Sequence, residues 1–278
     1  MSEPASLPSG PIAFIGGGNM ARSLIGGLVA RGVAASDIRV AEPVETLREA
    51  LRRDFGVQCF DQASAAAEGA SVWLLAVKPQ VMREVCASLA AQAAAQRPLA
   101  ISIAAGITAG QLDRWLGGGA AVVRAMPNTP ALLGAGITGL YANAAAAPRF
   151  DQAASLLEAV GPTVRIDEEA QMDAVTAVSG SGPAYVFLLA EAMQQAGQAQ
   201  GLSAEAARAL VRQTLLGAAT MLTHSEEPAE VLRARVTSPG GTTQAAIETF
   251  EAGGFRTLVD RAIAAATERG RQLSAANE

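Results

Sequence analysis

Pro11-Ile12-Ala13-Phe14-Ile15-Gly16-Gly17-Gly18-Asn19-Met20-Ala21 is the stretch from which the fold can be read. Its apolar run reads as a buried strand. The run breaks into G-x-G-x-x-A at Gly16, Gly18 and Ala21, and a helical pattern follows through Leu24, Ile25, Leu28 and Val29. This strand–turn–helix order is what a dinucleotide-binding fingerprint requires. Gly16 suits the tight turn, Gly18 lets the backbone approach a pyrophosphate, and Ala21 lets helix and strand pack closely. The helix start adds free N–H groups and the positive end of a dipole. A Gly-rich turn used only for packing is the plain alternative; the position directly after the first strand favours the nucleotide site.

Outward from this unit, strands and helices alternate. Ile38-Arg39-Val40-Ala41 reads as a second strand ending at Glu42-Pro43, with a helix from about Val44 to Asp54 behind it. Val72–Val77 is a buried-strand run that stops at Lys78-Pro79. Leu99–Ile103 and Ala121–Ala125 are further strands, and Ile137–Tyr141 adds an edge strand. Alternation of this kind predicts an α/β fold: a Rossmann-type doubly wound parallel sheet with helices on both faces. Ligands then bind outside the carboxyl ends of the strands. Gly16–Met20, Glu42, Ala76–Pro79, Ala104–Gly106 and Met126–Pro130 should gather on that edge.

From about Glu168 the strand signals vanish. Helical patterns run from Met172 to Ala199, from Ala204 to Thr223 and from Thr242 onward. The expected division is therefore 1–167, a dinucleotide-binding domain, and 168–278, an all-helical domain. The second domain's helices look apolar over more than one face, as at Val175, Val178, Val186, Phe187, Leu188 and Leu189. A bundle of this size has limited interior, so the excess apolar surface predicts dimerisation.

Composition narrows the chemistry. Half of the 278 residues are apolar, which supports a sizeable core, and aromatics at 4% favour closely packed helices over a β-sandwich. A net charge of −5 with no Lys/Arg cluster argues against nucleic acid or an anionic membrane surface. No apolar segment is long enough to span a bilayer, and the first ten residues lack a secretory pattern, so the expected location is cytoplasmic. Cys59 and Cys86 are the only cysteines and His224 the only histidine. Zinc-ligand spacing is absent, and the mechanism is expected to need neither a metal nor a histidine base.

Two helix starts are chemically marked. Ser238-Pro239-Gly240-Gly241-Thr242-Thr243 reads as an N-cap Ser, a Pro at the first helical position and two residues without side chains. Ser179-Gly180-Ser181-Gly182-Pro183 reads similarly ahead of a helix over Ala184–Met193. Exposed N–H groups with hydroxyls beside them cradle anions. Without a cationic cleft, two such cradles point to a small carboxylate substrate; plain capping is the alternative.

These motifs together resemble the pyrroline-5-carboxylate reductase family. The matching stretches are Phe14–Met20, Ala76–Pro79, Ser102–Gly106, Arg124–Pro130, Asp173–Tyr185 and Ser238–Thr243, in family order over nearly the whole chain. The resemblance implies an NAD(P)H-binding Rossmann domain and a helical dimerisation domain, with interlocked dimers often assembled into larger rings. It implies reduction of the cyclic imine of 1-pyrroline-5-carboxylate to L-proline. It carries cofactor contact to Ile15, Gly16, Gly17, Gly18, Asn19, Met20, Ala76, Val77, Lys78, Pro79, Ile103, Ala104, Ala105 and Asn128. It carries substrate contact to Gly180, Ser181, Gly182, Pro183, Ser238, Gly240, Gly241, Thr242 and Thr243. One departure is Glu42, where many relatives have residues suited to the 2′-phosphate of NADPH. An acid there accepts from a ribose 2′-OH and repels a phosphate, with Arg48 in the next helix as a possible offset. The alternative is a solvated surface acid, so the donor is NADPH or NADH.

A cyclic imine is easily protonated, and the iminium is the better hydride acceptor, so the protein chiefly positions the ring and keeps a proton on nitrogen. Thr243 is the residue expected at the ring nitrogen, with Ser238 and the N–H groups of Gly240, Gly241 and Thr242 on the carboxylate. Glu226 is a candidate proton source, against a plain surface acid. Competing readings are a related imine reductase or dehydrogenase acting on another small carboxylate, and a non-catalytic cofactor-binding protein. Related β-hydroxyacid dehydrogenases rely on a lysine in an interdomain helix, and Lys78 is the only lysine here.

Overall fold

The computed structural model describes residues 10–277; nearly all of the segment from which no secretory leader was read lies outside them. One eight-stranded sheet organises the first part of the chain. Its strands are β1 (Ile12–Ile15), β2 (Ile38–Ala41), β3 (Gln58–Phe60), β4 (Val72–Leu75), β5 (Leu99–Ser102), β6 (Ala121–Met126), β7 (Thr138–Ala142) and β8 (Thr163–Arg165), in spatial order β3-β2-β1-β4-β5-β6-β7-β8. The strands from β1 to β6 are parallel, whereas β7 runs antiparallel to β6. The all-parallel expectation fails there because no crossover helix joins β6 to β7, only a 3-10 turn at Thr129–Leu133. β7 is also not the edge, since β8 pairs beyond it.

Strand residues alternate between two cores. Ile12, Phe14, Val40, Leu74 and Ile101 point to one, closed by Leu24, Ile25 and Leu28 of α1 (Asn19–Ala30). Ala13, Ile15, Trp73, Leu75 and Ala100 point to the other, closed by Met82, Cys86 and Leu89 of α4 (Pro79–Gln96) and Leu112 of α5 (Ala109–Trp115). Full burial of the Ile, Leu, Val, Phe and Met side chains among these contributes about 1.5–3 kcal/mol each. Further helices are α2 (Glu45–Phe55), α3 (Ala63–Ala67) and α6 (Phe150–Leu157). Strand order reverses between β1 and β4, the topological switch point at which α/β sheets bind ligands.

The chain divides into two compact units, residues up to Ser181 together with those from Ala266, and Gly182–Ala265. This differs from a division after Asp167 in two places. The turn α7 (Met172–Val175) and the π-helical turn Thr176–Gly180 stay with the sheet, where Val175 lies so close to β7 that a Cβ on Gly139 would meet its Cγ1 at 2.5 Å. The C-terminal turns also return to the first unit. Gln111, capped reciprocally with Thr108, donates from Nε2 to the Ser274 carbonyl (3.0 Å), and Asn277 donates from Nδ2 to the Gly106 carbonyl (3.0 Å).

The second unit is helical: α8 (Gly182–Ala199), α9 (Ala204–His224), α10 (Ala229–Arg235), α11 (Thr242–Ala252) and the first part of α12 (Phe255–Ala276). The expected single helix from Thr242 is interrupted at Gly253-Gly254. Only Ala207 and Val211 of α9 are buried, while Phe187, Leu188, Leu216 and Leu258 are exposed. Among the described residues no helix is long and apolar enough to cross a membrane.

Candidate active site

The carboxyl edge of the sheet assembles the nucleotide-contact residues expected in the first unit. Backbone bonds extend the ladder past the strand ends, from Gly16 N–H to the Ala41 carbonyl (2.8 Å), Ala76 N–H to Ile15 (2.8 Å) and Ile103 N–H to Leu75 (3.2 Å). The three loops therefore lie side by side at the switch point. Gly16 has φ +106, and a Cβ there would meet the Ala76 carbonyl oxygen at 2.7 Å, so the first glycine of the fingerprint is obligatory. Gly18 caps α1 with extended backbone, and a Cβ added to it meets nothing within 4 Å. Open space thus lies directly over a helix start whose first N–H groups have no intrahelical acceptor. A pyrophosphate fits this cradle.

Glu42 is not the solvated acid of the plain reading. It is 7% exposed, and its carboxylate accepts from the N–H of Gly17 (3.0 Å) and of Val44 (3.1 Å). The middle glycine, which the fingerprint leaves as any residue, is thereby tied to the end of β2. Its Cβ would also meet Leu51 Cδ1 at 2.8 Å. Arg48 is buried too, donating to the carbonyls of Glu42 (2.6 Å) and Pro43 (2.9 Å) and pairing with Glu45. It does not offset Glu42 toward a ligand.

Lys78 caps α4 and is exposed, with Pro79 as first helical residue and Ala76 and Val77 leading to it. Ala104 donates to Ser102 Oγ (3.3 Å), and Ala105 is exposed. The Asn128 amide is engaged within the protein, accepting at Oδ1 from the Ile137 N–H (3.1 Å) and donating from Nδ2 to the carbonyl and hydroxyl of Ser179 (3.4 Å each). It joins the end of β6 to the segment preceding α8.

The Ser179–Pro183 segment is not the open helix start expected of it. Helix α7 runs through the π turn into Ser181, whose N–H donates to the Thr176 carbonyl (2.8 Å), and α8 begins at Gly182. Gly180 sits so near β6 that a Cβ would meet Met126 Cε at 2.5 Å. Gly180 and Ser181 belong to the first unit, Gly182 and Pro183 to the second.

The Ser238–Thr243 motif is also displaced from its expected caps. Gly240 at φ +72 makes a tight turn in which the Gly241 N–H donates to the Ser238 carbonyl (3.0 Å). The N-cap is Gly241, not Ser238, and α11 starts at Thr242. The Gly240 N–H is held by Oε1 of Gln244 (2.6 Å), itself donating to Glu248 (2.6 Å). Gln244 is a residue that the motif reading missed; an amide four residues past a glycine turn was the available signal. The Thr242 N–H, first in the helix, lacks an intrahelical acceptor. Thr243 is half-buried beside it, Glu226 is exposed, and the neighbouring Glu227 is paired with Arg235.

A buried charged group under the first unit's edge also escaped the sequence. Arg124 of β6 pairs with Glu169 (2.9 Å), whose Oε1 accepts from the Ala109 N–H (2.6 Å). Asp173 lies buried nearby, and burial pushes its carboxyl above its usual range against the lowering effects of Arg124 and Arg271. Among the described residues, no three His, Cys, Asp or Glu side chains gather as a metal site.

Comparisons with known proteins bear on what this geometry serves. The family model described as pyrroline-5-carboxylate reductase dimerisation matches residues 169–273, and that of NADP oxidoreductase, coenzyme F420-dependent, matches residues 11–106. The pyrroline-5-carboxylate reductase of Pseudomonas aeruginosa is 54% identical over 265 residues, covering 95% of this chain and 96% of that protein. A pyrroline-5-carboxylate reductase structure from Coxiella burnetii superposes with a TM-score of 0.92 at 41% identity, covering 96% of this chain and 99% of that one. The pyrroline carboxylate reductase of Plasmodium falciparum, crystallised with NADP bound, superposes with a TM-score of 0.83 at 27% identity, covering 97% and 100%.

Proposed function

The chain belongs to the pyrroline-5-carboxylate reductase family, and from that premise we propose that it reduces 1-pyrroline-5-carboxylate to L-proline, the last step of proline biosynthesis, in the cytoplasm. Residues 1–167 serve the cofactor, and residues 168–278 serve the substrate and the dimer, with dimers assembling further into a larger homo-oligomer. The observation that carries this reading is the open space over Gly18 at the switch point, next to loops that cover the family's cofactor motifs.

NAD(P)H, when bound, supplies the hydride. Ile15–Met20, Ala76–Pro79 and Ile103–Ala105 hold it along the sheet edge, and Asn128 fixes the neighbouring Ser179. Gly180–Pro183 and Ser238–Thr243 hold the substrate. Its carboxylate takes the place of the Gln244 amide oxygen at the Gly240 N–H and reaches the Thr242 N–H and Ser238 hydroxyl, while Gly241 closes the turn. The Thr243 hydroxyl meets the ring nitrogen and keeps a proton there, with Glu226 as the acid to resupply it. Loss of cofactor absorbance on addition of pyrroline-5-carboxylate, with proline identified as product, tests the reading. Cofactor binding without turnover would leave only a nucleotide-binding protein.

A further inference from the structure

Resting on that reading of the sheet edge, we propose that this chain takes NADH in preference to NADPH, and that Glu42 makes the choice. In a βαβ nucleotide site the residue at the end of the second strand faces the adenosine ribose. Glu42 stands there, and its carboxylate is fixed by the Gly17 and Val44 N–H groups at 3.0 and 3.1 Å. Each oxygen keeps acceptor capacity for a ribose hydroxyl. A phosphate on the 2′-oxygen would instead face a buried, immobile anion.

The surrounding cations do not neutralise that anion. Arg48 is held by the carbonyls of Glu42 and Pro43 and by Glu45. Arg52 donates to Glu45 (3.2 Å) and to the Cys59 carbonyl (3.2 Å). Arg22 and Arg53 both pair with Asp54, at 2.5 and 2.9 Å. Every arginine of α1 and α2 is thus committed to a carboxylate or a carbonyl. Lys78 follows β4, which lies across β1 from β2.

The test measures the dissociation constants of NADH and NADPH by fluorescence, and kcat/KM with each, for the parent, Glu42→Ser and the near-isosteric Glu42→Gln. The parent should favour NADH by roughly 10- to 100-fold, the scale of one hydrogen bond to a charged group. Both variants should lose NADH affinity and gain NADPH affinity, so that the ratio falls at least tenfold. A parent that prefers NADPH overturns the proposal. So do variants that weaken both cofactors equally, because Glu42 would then only brace the Gly17 loop. If neither cofactor binds the parent, the reading of the edge as a nucleotide site fails as well.

Discussion

The two units solve the burial problem in opposite ways. In the first, strands shed alternate side chains into two separate cores, and Phe14, Leu24, Trp73 and Leu112 are completely covered by the chain itself. In the second, α8, α10, α11 and α12 bury no residue, and Phe187 and Leu188 stand 68% and 67% exposed. A sheet covered on both faces needs no second molecule; a few long helices with apolar residues all round do. This unit lies within the region matched by the family's dimerisation model. The lesson is that nucleotide binding and self-association are built on different kinds of stability, and each can be disturbed alone.

The largest separation should come from Gly18→Val. A Cβ there meets no other part of the protein within 4 Å, so the fold and the oligomer should persist, while the pyrophosphate's place is filled. Calorimetry should detect no binding of NADH or NADPH; near-parental affinity in a folded variant would remove the cradle from the site.

The converse variant is Phe187→Asp with Leu188→Asp. On an isolated chain two exposed substitutions would be nearly silent. At a self-association surface they desolvate charge, so sedimentation at micromolar concentration should turn an oligomeric parent into monomer, with nucleotide affinity largely kept. An active, monomeric parent would break the contrast.

A smaller effect is expected at the glycine turn. Thr243→Ala should lower kcat by about 5- to 150-fold, corresponding to about 1–3 kcal/mol of lost hydrogen bonding in the transition state. Ser238→Ala should act on substrate KM without a capping penalty, since Gly241 is the N-cap. If Thr243→Ala leaves kcat untouched, the proton at nitrogen comes by another route, with Glu226 or solvent next.

The mildest expectation concerns Asp173, whose carboxyl burial pushes upward. A raised carboxyl binds its proton more tightly in the folded state than in the unfolded one. Its cost to stability is therefore absent below the ordinary value of 3.8 and grows as pH rises through the folded value. Asp173→Asn should melt above the parent at neutral pH, and the gain should fade on acidification. A difference constant with pH would assign Asp173 a purely steric role against Gly270.

The sequence showed the interior of this design more clearly than its margins. Ile12–Ile15, Val72–Leu75 and Leu99–Ser102 are buried apolar runs, and each was legible. The two strands left unread, Gln58–Phe60 and Thr163–Arg165, are the two edges of the sheet, three residues each and partly exposed, where neither run length nor alternation can speak. Among site residues, the glycines announced themselves. Glu42 was visible as an acid, but its burial and its bond to Gly17 depend on a partner 25 positions away. Gln244 and Asn128 act through amides whose partners only the fold supplies. The caps at Ser238 and Ser179 were misplaced because one left-handed glycine and one π turn shift a helix start without changing its composition.

The return of the C-terminal turns to the sheet has a consequence during synthesis. The first unit is interrupted by the whole of Gly182–Ala265, roughly eighty residues. At about 5–20 residues per second a ribosome takes roughly 4–16 s to deliver them. Throughout that interval the turn at Gly106 still lacks Asn277, and the Gln111 amide still lacks the Ser274 carbonyl. The half-made protein therefore holds a nearly finished sheet while its most apolar helices emerge, and the turns that close the first unit leave the exit tunnel after them.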